Sequence, residues 1–120
     1  MKTFIIKNPV FNAELLVIAN CSPKEANKYL KKIKSKNFIE DSESIAGQLV
    51  ALKDYYNCVY LNKLDLDVLV HELYHYVGTL CCRKGLEVIS NFGRGESGSE
   101  AGAYLMQFYF NEISKKLKKR

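Results

Sequence analysis

A chain of 120 residues with 48% hydrophobic and 26% charged residues can bury one core and is too short for a second, so one domain over 1–120 is expected. Its longest apolar runs, such as "LLVIA" at 15–19, fall far below the roughly 20 residues that cross a bilayer, which excludes a helical membrane span. The formal net charge of +5 gathers at the end, where five of the last six residues are basic; lysines there complement a helix dipole, and with no aromatic residues interleaved among them nucleic acid is not indicated as a partner.

At the start of the chain, Lys7, Asn8, Asn12 and Glu14 interrupt any run resembling the apolar core of a secretory signal. Residues 13–20, "AELLVIAN", read as a strand with a short buried apolar run. "SPKE" at 22–25 then combines an N-cap serine, proline at the first helical position and glutamate three residues after the cap, which predicts a helix over about 23–34. From 38 to 62 the pattern turns to β. "GQLVALK" and "YNCVYLN" read as strands joined through "DYYN", with Tyr56, Cys58 and Tyr60 on one face and Asn57, Val59 and Leu61 on the other.

Asp65 and Asp67 suit a helix start, and Leu64 with Leu69 can staple it, so a second helix is expected over about 66–82. Its apolar side carries Val68, Leu69, Leu73, Val77 and Leu80, while Asp67, His71, His75, Gly78 and Cys82 follow another side. A segment with four glycines, "RKGLEVISNFGRGESG", leads to a last helix over about 98–117. The cysteines, Cys21, Cys58, Cys81 and Cys82, lack CxxC spacing and include an adjacent pair, which fits free thiols in a reducing cytoplasm.

Both histidines of the chain fall in "HELYH", residues 71–75. Residues four apart on a helix stand one turn apart on the same face, so His71 and His75 can offer two imidazoles to one ion. Glu72, rotated by about 100 degrees, stands beside that ion, where a carboxylate can act as general base toward water activated by zinc. A catalytic zinc takes three protein ligands and leaves one position open. With no third histidine, the remaining ligand is a thiol or a carboxylate: Cys81, Glu87, Glu96 or Glu100. Glu100 opens "EAGAYL" with Tyr104 one turn further on, and small Ala101, Ala103 and Gly78 would let two helices approach closely; Ser97 and Glu100 also have capping-box spacing, which gives Glu100 a purely structural alternative. Tyr104 could donate a hydroxyl to a developing oxyanion or hold a liganding histidine. Tyr74 and Tyr76 diverge from the histidine face.

These stretches, His71-Glu72-Leu73-Tyr74-His75 and Glu100-Ala101-Gly102-Ala103-Tyr104-Leu105, resemble the zincin superfamily, and within it the small gluzincin-like metallopeptidases encoded by bacteriophages and prophages. The resemblance spans about residues 56–110. It implies an α+β minimal zincin-like fold: a small mixed β-sheet with an N-terminal helix and two packed C-terminal helices, the first carrying HExxH. It implies Zn2+ held by His71, His75 and Glu100, with Glu72 as general base in peptide-bond hydrolysis, in a host cytoplasm or with the virion. A peptide or protein substrate would pair with a sheet edge, a role expected of strand 56–62, with Tyr56 and Tyr60 lining the cleft. The alternative is a non-catalytic structural or host-interaction protein that keeps the zinc site.

Overall fold

The computed structural model of the chain describes residues 1–8, 10, 13–42, 44–53, 56–63, 65–83 and 97–118. Among them the elements run β1 (Lys2–Asn8), β2 (Ala13–Ala19), α1 (Pro23–Lys32), β3 (Gly47–Lys53), β4 (Tyr56–Leu61), α2 (Leu66–Arg83) and α3 (Ser97–Lys118). The class is α+β. One four-stranded mixed sheet, in spatial order β1-β2-β4-β3, carries α1 on one face and the packed pair α2 and α3 on the other.

The alternation of side chains along the strands gives two hydrophobic clusters, one on each face of the sheet, where length alone predicted one core: a sheet covered on both faces splits its apolar residues between them. Leu15, Val17, Ala19, Val59 and Leu61 face α2 and α3, meeting Leu69, Leu73, Tyr76, Val77 and Leu80 of α2 and Leu105, Tyr109 and Ile113 of α3. Leu16, Ile18, Cys58 and Tyr60 face the other way, under Ala26 and Leu30 of α1 and Ile39 beyond it. Each fully buried leucine removes enough apolar surface from water to contribute about 2 kcal/mol. β2 is therefore apolar on both faces because both are covered, and it pairs antiparallel with β1 and parallel with β4.

α1 starts as its sequence dictates. Ser22 Oγ accepts from the Glu25 N–H at 3.2 Å, and Glu25 Oε1 accepts in return from the Ser22 N–H at 3.3 Å. It ends at Lys32, two residues before the expected limit, because Lys34 turns to a positive φ of 63° and closes the helix. The Ser35 N–H reaches back to the Leu30 carbonyl at 2.9 Å and the Lys34 N–H to Lys31 at 3.0 Å, the Schellman pattern with lysine where glycine is usual. α2 begins with Asp65 as cap: its Oδ1 accepts from the Asp67 N–H at 2.9 Å, and its carbonyl from the Leu69 N–H at 3.0 Å. The staple expected of Leu64 lies outside the described residues.

α2 and α3 are joined at mid-length by a buried pair of phenols. The Tyr76 hydroxyl donates to that of Tyr109 at 3.0 Å, with the rings edge-on at 4.9 Å. The far end of α3 is held by the Lys2 ammonium, which donates to the carbonyls of Lys116 and Leu117 at 3.2 and 3.0 Å. A cation at those carbonyls satisfies acceptors that a helix end leaves open. Among the described residues no helix is long and apolar enough to cross a membrane.

Strand order corrects one expectation. β4 is interior, bonded to β2 on one side and β3 on the other, so strand 56–62 offers no free edge to a peptide. Tyr60 is fully buried on the α1 side, its hydroxyl donating to the Cys21 carbonyl at 2.6 Å, and Tyr56 packs on that same side; neither lines a cleft over α2. Among the described residues the edge strand next to α2 is β3. It pairs antiparallel with β4 and bulges between Ala51 and Lys53.

Candidate metal centre

The imidazoles of His71 and His75 converge. Their Nε2 atoms stand 3.2 Å apart, with ring centroids at 4.8 Å and an interplanar angle of 76°. Two nitrogens bound at about 2.0–2.1 Å to one tetrahedral zinc are separated by about 3.3 Å, so the pair fits that ion with little adjustment. Both rings are exposed, on the helix side opposite Leu69, Leu73, Tyr76, Val77 and Leu80. Burial of that apolar stripe fixes the rotation of α2 and thereby turns both histidines outward together.

Glu72 follows His71 but is nearly buried, at 8% exposure, because its stem lies under the start of β3. Gly47 makes this possible. A Cβ there would stand 2.6 Å from Val68 Cγ1, 3.0 Å from the Tyr60 carbonyl oxygen and 3.2 Å from Glu72 Cγ, so only glycine lets the edge strand close on α2 at this point. Gly47 has no part in the expectations from sequence, although a glycine opening a β-branched and leucine-rich strand is a signal of close backbone approach.

Open space flanks the histidines on both sides. One depression of about 420 Å³ is lined by Ser44, Ile45, Ala46, Gly47, Asp67, Val68, His71 and Glu72. Another, of about 440 Å³, is lined by Tyr74, His75, Gly78, Thr79 and Cys82. Gly78 does not mediate close helix packing as expected from sequence: among the described residues, a Cβ there would meet nothing within 4 Å. Tyr74 stays beside the histidines, its ring 6.4 Å from that of His75, because a residue three positions after His71 is still its neighbour on the helix surface. Tyr76, in contrast, is fully buried in the core.

The other sequence candidates separate clearly. Cys81 is fully buried in the core beside α3, where burial raises its thiol, so it points away from the histidines and is no third ligand. Glu87 and Glu96 lie outside the described residues. Glu100 falls in the first turn of α3, and its side chain lies outside them also. Tyr104 is on α3 with its ring tilted against Phe108 at 6.0 Å, 41% exposed, and close enough to Tyr109 to raise that phenol further. Among the described residues no group of three or more His, Cys, Asp or Glu side chains is placed to hold one metal ion. No family model, curated protein or solved structure matches the chain.

Proposed function

We propose that the chain is a minimal zincin-like zinc metallopeptidase, with His71 and His75 as two ligands, Glu100 as the third and Glu72 as general base. The observation that carries this reading is the 3.2 Å approach of the two Nε2 atoms with Glu72 next in sequence and tucked beside them. Zinc held there supplies a Lewis acid that acidifies water and polarises a carbonyl. Glu72 takes the proton of the attacking water and returns it to the departing amine, and its stem is held in place by Gly47 and β3. Tyr104, from the facing helix, is assigned to the oxyanion or to the support of a histidine.

The substrate strand moves from β4 to β3. The Asn62 N–H bonds the Ala46 carbonyl, so in this antiparallel register residues 48 and 50 face β4 while Gly47, Leu49 and Ala51 turn their main-chain groups outward. Asn37 Nδ2 already donates to the Ala51 carbonyl at 2.8 Å. That leaves Gly47 and Leu49, beside the depression containing His71 and Glu72, to pair with an extended peptide.

Zinc titration by calorimetry tests the centre. Wild type is expected to bind one ion; His71→Ala and His75→Ala each lose it; Glu100→Gln, which keeps capping ability, weakens it strongly. Undiminished zinc binding in the double histidine variant would overturn the proposal.

A further inference from the structure

On the opposite face of the sheet, Lys24, Lys28 and Lys31 stand at spacings of four and three on the solvent side of α1, and all three are exposed. Among the described residues none of them makes an ion pair. The one carboxylate of their helix, Glu25, is bonded to the Ser22 N–H and hydroxyl. The three lysines, with Glu25 and Asn27 between them, form one wall of a groove of about 470 Å³, whose other wall comes from Phe38 and Asp41.

Phe38 is held in this position by its neighbours. Asn27 Oδ1 accepts from the Ile39 N–H at 2.7 Å, and Asn27 Nδ2 donates to the Ile39 carbonyl at 2.9 Å, a two-bond clamp that pins the 38–40 segment to α1. The Glu40 N–H donates to Gln48 Oε1 at 2.9 Å, which fastens the same segment to β3. With Ile39 drawn into the core at 3% exposure, Phe38 is turned outward at 45%. The result is a half-exposed aromatic ring set beside three cations that make no ion pair among the described residues.

We propose that this groove docks an acidic protein segment: carboxylates along the α1 wall and an apolar side chain on Phe38. Charge complementarity selects the partner. A phosphate backbone is negative along its whole length and meets both Glu25 and Asp41 in the groove, whereas a peptide can place its carboxylates against the lysines and leave uncharged residues by Glu25 and Asp41. Paired charges of this kind set association rate and register, while the apolar anchor slows dissociation.

The test uses fluorescence anisotropy of a short labelled peptide of glutamate and serine with one central phenylalanine. Reversing Lys24, Lys28 and Lys31 to glutamate is expected to weaken binding by about tenfold or more, and Phe38→Ser by about threefold. A charge-matched control reversing Lys7, Lys63 and Lys116, exposed residues that line no part of the groove, should weaken it by less than about twofold, since charges away from the contact are screened. Equal losses in the two triple variants overturn the proposal. So does tighter binding of an oligothymidylate with the same dependence on Lys24, Lys28 and Lys31, which would make the face a nucleic-acid surface. In the unaltered protein, amide shifts on adding the peptide should concentrate in 24–41; concentration around 71–75 overturns the assignment without recourse to any variant.

Discussion

The two faces of the sheet use their polar side chains in opposite ways. On the α1 face, the three lysines of the groove apart, they serve the chain itself: Ser22 and Glu25 cap each other, Asn27 clamps Ile39, Asn37 bonds Ala51 and the Tyr60 hydroxyl bonds Cys21. On the α2 face the His71 and His75 side chains bond only each other among the described residues, and Glu72 stands nearly buried beside them. Side chains that hold a fold together find partners within it. The catalytic proposal rests on the second face because two imidazoles converge there with a carboxylate next to them in sequence.

The contrast can be broken most sharply at Glu72. Glu72→Gln is expected to cut hydrolysis of a peptide substrate by about a hundred- to ten-thousand-fold while zinc titration stays as in wild type. If wild type binds zinc and cleaves no peptide in a broad substrate panel, the non-catalytic alternative gains the site.

Alkali acts on both faces. Burial pushes Cys58 and Tyr60, on the α1 side, each to about 12, and also raises Tyr76 and Tyr109 on the other. Each group stays protonated in the fold at a pH where the unfolded chain has already ionised. The unfolded state then binds fewer protons, so stability is full below the ordinary thiol range and falls as pH rises through it toward 12. Denaturant midpoints measured from pH 8 upward should show that decline. Cys58→Ala should flatten its onset, since a thiol ionises first, and Tyr76→Phe only its later part.

Smaller effects follow at the edge strand and at the ends of α1. Gly47→Ala should destabilise by about 1–3 kcal/mol in equilibrium unfolding, because the Tyr60 carbonyl cannot move aside as a side chain can. Ser22→Ala should cost about 1 kcal/mol by the same measurement. Lys34→Gly, relieving a positive φ, should gain about 0.5 kcal/mol.

Elements with chemical punctuation were legible in the residues. α1 and α2 begin where Ser22, Pro23, Asp65 and Asp67 indicate, since caps are local interactions. The outward pairing of His71 and His75 follows from helical period alone. β1 escaped because Phe4-Ile5-Ile6 does not alternate: Ile6 is buried while Ile5 is 43% exposed. Strand order escaped too, since periodicity within a strand says nothing of its neighbours, although burial of β4 on both faces is what an interior strand shows. The role of Gly47 depended on that order and was hidden with it.

Tyr76 directly follows His75, and the chain contains eight tyrosines and no tryptophan. The edge-on phenol pair it forms with Tyr109 therefore makes the seam between the two long helices an intrinsic optical gauge. Near-ultraviolet dichroism of this undyed protein should register any slip of α3 along α2, with no label placed near the histidines.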